Sequence, residues 1–124
     1  MRPAFHLVPA SVWSTHVPNT PYVAGSLASE GFIHCTDGED ELLDTANRHY
    51  RGDPRPFVAL VVDLDRCRSP WRVEDERSIY PHIFGPIAPD AIVEQRVLQR
   101  TDDGRFVALS PAAGTARTRG QWSR

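Results

Sequence analysis

Along residues 4–8, AFHLV, apolar positions run up to Pro9 and predict a first strand. PASVWSTHV (9–17) carries Pro and Ser at its start and reads as a short helix. PNTPYVAG (18–25) is punctuated by Pro and Asn and reads as a loop. SLASEG (26–31) is long enough for roughly one helical turn, with Ser26 placed as N-cap and Gly31 just past the end. FIHC (32–35) is the second strand. A longer helix is predicted over 37–50, with Thr36 and Glu39 spaced as a capping box and Leu42, Leu43, Ala46 and Tyr50 as its buried stripe.

The second half is rich in strands. FVALVVDLD (57–65) is the most apolar stretch and reads as a central strand buried on both faces. WRVE (71–74) and SIYPHIFG (78–85) are further extended segments, and Pro81 confines the latter to an edge, a bulge or a strand start. AIVEQRVLQR and RFVAL, joined through TDDG, predict a hairpin. Early helices followed by many strands indicate an α+β class. Residues 1–109 read as one domain and 110–124, SPAAGTARTRGQWSR, as a flexible basic tail.

Composition narrows the function classes. At 124 residues the chain can bury one modest core. A net charge of −2 argues against a nucleic-acid or acidic-membrane partner. The chain has no lysine, so no lysine can form a Schiff base. The two cysteines, Cys35 and Cys67, have neither metal-ligand spacing nor a disulfide framework around them. No secretory leader pattern opens the chain, and the run FVALVV (57–62) is too short to span a bilayer. The expectation is a protein of the reducing cytoplasm with no membrane partner.

The candidate chemistry lies in the histidines. His16 and His49 sit in polar helical contexts and are expected to face solvent. His6, His34 and His82 fall in predicted strands, where alternation sets their neighbours. His6 shares a face with Ala4 and Val8, His34 with Phe32 and Thr36, and His82 with Tyr80 and Phe84. Imidazoles beside aromatic and hydroxyl groups suit a ligand pocket, whereas a single strand histidine is more often structural. Three histidines on separate elements lack the short paired spacing of a zinc set, so no metal is expected. Cys35 points away from its neighbour His34 and is expected to be a core residue. The acidic run Glu74, Asp75 and Glu76 could include a functional carboxylate, but such runs are usually solvated loops. No phosphate-cradling glycine loop and no nucleophile-elbow motif occurs.

FHLV, SLASEGFIHCT, TANRHY, FVALVVDLD and YPHIFGPI, in that order over roughly residues 4–109, resemble the family catalogued as domain of unknown function 952. The resemblance implies an ADP-ribosyltransferase-like superfold, a split strand-rich core. The similar branch is the RNA 2′-phosphotransferase one, where histidines replace a glutamate-containing triad. On that resemblance His6 matches the first-strand histidine, His34 the second-strand one, and His82 is the candidate third. The chain departs from the family pattern in two places. Thr36 stands where a serine is usual, and Asp40 or Glu41 where a glutamine is common early in the helix.

Three functions follow as expectations. The first is an ADP-ribosyltransferase-like enzyme binding NAD or a related nucleotide. There His34 would bond a ribose hydroxyl, His6 would position the nucleotide, Tyr80, Phe84 or Tyr22 would stack, and an arginine such as Arg77 would meet the pyrophosphate. The second uses His34 and His82 as acid and base on another small molecule, in a cyclisation, hydrolysis or elimination. The third is a non-catalytic ligand-binding domain.

Overall fold

The computed structural model describes residues 1–112. The strands are β1 (Pro3–Pro9), β2 (Ile33–His34), β3 (Phe57–Asp63), β4 (Trp71–Val73), β5 (Pro81–Ile83), β6 (Ile92–Arg100) and β7 (Phe106–Pro111). Three helices, α1 (Ala10–Trp13), α2 (Gly25–Glu30) and α3 (Glu39–Tyr50), and two 3₁₀ turns complete the order. The class is α+β, with a four-stranded sheet β1-β3-β6-β7 and a three-stranded sheet β2-β5-β4, antiparallel throughout.

The unbroken apolar run of β3 explains the layering. All seven of its residues are buried. Val58, Leu60 and Val62 face one core together with Ala4, Val8, Ile33 and Ile83, so this core lies between the sheets. Phe57 and Ala59 face the other way and pack with Leu42 and Ala46 of α3, and with Leu98 and Phe106. A strand covered on both sides needs apolar residues at every position, which is the pattern observed. The sheets meet where Phe5 and Thr36 exchange two backbone hydrogen bonds of 2.8 Å.

Several local expectations are corrected. The first helix is only Ala10–Trp13, and β2 only two residues long. Ser26 does not cap α2; its hydroxyl donates to the Phe32 carbonyl at 2.8 Å, while Ala24 holds the cap position. Gly31 does end α2, with φ of 89°. The Thr36–Glu39 capping box does not form, because the Thr36 backbone is committed to Phe5 and α3 starts from Gly38. The acidic first turn of α3 (Glu39, Asp40, Glu41) and Arg48 and His49 in its last turn suit the helix dipole. Tyr50 is exposed rather than part of the buried stripe. Pro81 is the first residue of β5, where its missing N–H costs least.

The hairpin strand β7 continues through Ser110 and Pro111, beyond the domain end expected at 109. The rest of the expected tail, 113–124, lies outside the described residues. Among the described residues no helix is long and apolar enough to cross a membrane.

Candidate functional site

A cavity of about 790 Å³ opens at the junction of the two sheets, bounded by residues of β1, β2, β5, α2 and α3. His6, His34 and His82 all line it, as do Tyr22, Thr36 and Tyr80. The sequence-predicted residues are thus largely brought together, from positions far apart in the chain.

Antiparallel pairing of β2 with β5 sets His34 directly opposite His82. Directly opposed residues project from the same face of a sheet, and the two rings meet edge-on with centroids 5.5 Å apart. Phe32 stacks on His82 at 4.0 Å and 13°, and meets His34 in a T-shaped contact at 4.8 Å. The expected sharing of a face by Phe32 and His34 is therefore realised in ring contacts.

The two imidazoles have unlike surroundings. His34 Nε2 lies 3.1 Å from Glu30 Oε1, so this nitrogen donates to the carboxylate and orients the ring. His82 is less exposed, and burial, reinforced by the charge of His34, lowers its pKa below the usual histidine value. Its Nδ1 is buried without a hydrogen-bond partner among the described residues, and Glu74 Oε1 stands 4.0 Å away.

His6 is built differently again. It is 6% exposed. Its Nδ1–H donates to the His34 carbonyl at 2.7 Å, and its Nε2 accepts from the Tyr22 hydroxyl at 2.9 Å. Burial drives its pKa down to about 4, so the ring is neutral near pH 7. Burial likewise raises Tyr22 to about 12, leaving the phenol protonated. With both nitrogens used internally, His6 holds Tyr22 and the His34 backbone in place. Thr36 is buried beside them.

Cys35 is a core residue, as expected, and burial raises its thiol pKa well above the ordinary value. A thiol kept protonated is a poor nucleophile. Among the described residues no group of three or more His, Cys, Asp or Glu is arranged to hold a metal ion.

A model for a family described as "Protein of unknown function (DUF952)" matches residues 7–95. The chain belongs to the DUF952 family. The match spans His34 and His82 but begins one residue after His6. None of the curated proteins matches this DUF952 chain. Among solved structures, the crystal structure of protein CC0527 from Caulobacter crescentus is similar over 85% of this chain and 93% of that one, at 20% identity and a TM-score of 0.65. The solution NMR structure of the same Caulobacter protein covers 84% and 90%, at 18% identity and a TM-score of 0.59. Likeness at that identity shows the fold alone.

Two sequence-predicted residues of this DUF952 chain stand apart from the cavity lining. Arg77 is exposed and pairs with Glu41 Oε2 at 3.0 Å. Phe84 carries the Arg72 guanidinium over its ring at 4.4 Å, beyond the lining residues. His16 was expected in solvent; it is half-buried, because it stacks on Trp13 at 4.8 Å. His49 is exposed, as expected, and also borders the cavity. Sequence reasoning missed Glu30, Thr45 and Arg48 among the lining residues. A signal existed for two of them, since Thr45 and Arg48 share one helix face at a spacing of three.

Proposed function

We propose that this DUF952 protein is an ADP-ribosyltransferase-like enzyme that takes NAD or a related nucleotide into the cavity at the sheet junction. The observation that carries the reading is the His34–His82 pair, two rings 5.5 Å apart on the wall of that cavity. The cavity volume of about 790 Å³ suits a nucleotide-sized ligand. The strand-borne histidines and the split two-sheet core support the superfold resemblance.

In such a transfer the bond between ribose C1′ and nicotinamide breaks, and its electron pair leaves with the nicotinamide. The positive charge growing on the ribose needs a nearby anion, and Glu30, which lines the cavity, supplies one. His34, oriented by Glu30, offers its remaining nitrogen to a ribose hydroxyl. An acceptor hydroxyl or water then bonds to C1′, and its proton passes to neutral His82. Little base strength is required, so an imidazole suffices.

A second reading rests on the unlike surroundings of the two rings. One imidazole is tied to a carboxylate and the other is held below its usual pKa, an asymmetry suited to an acid and base acting on another small molecule.

The test is calorimetric titration with NAD and with ADP-ribose, beside a nicotinamide-release assay. Saturable binding that weakens roughly tenfold in a folded His34→Ala variant is expected. Release that falls roughly 100-fold in His82→Gln is also expected. Binding without any release would leave a ligand-binding domain. A folded protein that binds neither nucleotide would overturn the NAD reading and leave acid–base chemistry on a different substrate.

A further inference from the structure

Arginines in this protein are mostly neutralised. Arg2 faces Asp37, Arg51 faces Asp103, Arg68 faces Asp90, and Arg77 faces Glu41, each within 3.0 Å. Arg48 departs from that pattern. Its guanidinium donates to the Tyr80 hydroxyl at 2.7 Å and to Thr45 Oγ1 at 3.4 Å. Among the described residues no carboxylate lies within ion-pairing distance of it. All three side chains line the cavity. The site therefore holds a guanidinium braced by two hydroxyls and left without a counter-charge.

The two acids that also line the cavity have partners other than Arg48. Asp75 accepts the backbone N–H groups of Ile79 and Tyr80, at 3.1 and 2.9 Å, and Glu30 is bonded to His34. Thr45 Oγ1 and Tyr80 Oη lie 3.2 Å apart, so one of these hydroxyls donates to the other and one hydroxyl proton remains to give. A flat cation beside a free hydroxyl donor is a donor set that a phosphate oxygen takes up.

We propose that Arg48, Thr45 and Tyr80 form the anion subsite of the cavity, and that the substrate carries a phosphate or diphosphate group seated there. This rests on the nucleotide reading for the rest of the ligand. The diphosphate then anchors the molecule on α3 while the reacting sugar reaches the imidazoles on β2 and β5. The subsite supplies affinity and orientation, and no proton transfer is assigned to it.

The experiment uses inorganic pyrophosphate and ADP-ribose as separate probes, titrated calorimetrically into the full chain. Arg48→Gln, Arg48→Lys and Tyr80→Phe are compared with Arg51→Gln, which removes one charge outside the cavity. Arg48 is exposed, so its variants are expected to fold, and thermal melts verify this. The expected result is saturable pyrophosphate binding that weakens roughly tenfold or more in Arg48→Gln, weakens less in Arg48→Lys and Tyr80→Phe, and is unchanged in Arg51→Gln. Pyrophosphate binding that depends on Arg48, with no ADP-ribose binding, supports the anion subsite and removes the nucleotide. ADP-ribose binding that is indifferent to Arg48 overturns the subsite and leaves the nucleotide reading standing. Equal losses in Arg48→Gln and Arg51→Gln would also overturn it, since the effect would then be net charge alone.

Discussion

His6 joins two distant pieces of chain, donating to the His34 carbonyl and accepting from Tyr22, sixteen residues away. Its placement among Ala4 and Val8 was legible, because strand alternation sets which side chains share a face. Its partners were not legible, since nothing local to AFHLV specifies a tyrosine in a later loop. The environment also sets a pH dependence. The folded pKa of about 4 lies below the ordinary 6.5, so at low pH the unfolded chain binds a proton that the folded chain refuses. The stability contributed is complete above pH 6.5 and is lost as pH falls toward 4, by about 3 kcal/mol in all. Urea unfolding at a series of pH values should show that slope in the wild type. It should be reduced in His6→Phe, which has no proton to bind; equal slopes would refute the assignment.

Among the elements, α3 shows how tertiary contacts overrule a local motif. Thr36 and Glu39 have capping-box spacing, but the backbone of Thr36 bridges to Phe5, and Gly38 turns the chain into the helix with φ of 91° and ψ of 144°. That region is accessible essentially to glycine alone. A Cβ at Gly38 would meet nothing within 4 Å, so Gly38→Ala should cost about 2 kcal/mol from the backbone alone. At Gly104, also at positive φ, a Cβ would come 2.6 Å from the Arg51 carbonyl oxygen. Gly104→Ala should therefore cost more than Gly38→Ala, and denaturant midpoints of the two variants would show the order. The periodicity of α3 was readable, and Leu42 and Ala46 are buried as its spacing requires. Its last turn was less so: Tyr50 lays its ring against Phe57 at 5.1 Å yet stays exposed.

For the whole molecule, the three-stranded sheet depends on the core it shares with β3. Ile83 is fully buried in that core, and its neighbour His82 carries the site. Ile83→Ala should lower stability by about 2–5 kcal/mol through lost burial and a residual cavity. The urea midpoint should fall accordingly, while Val107→Ala, at an exposed strand position, should change it little. The amino-acid pattern was sufficient for the α+β class, the doubly buried β3, the β6–β7 hairpin and the faces of the three strand histidines. Those features follow from periodicity and turn chemistry, which act over a few residues. The cavity follows from neither. It exists because antiparallel pairing sets His34 against His82, because the Phe5–Thr36 bridge fastens β2 to β1, and because α3 brings Arg48 to Tyr80. Each of those contacts joins segments remote in sequence, and the free energy that selects them comes from the shared core rather than from any stretch that contributes a residue to the site.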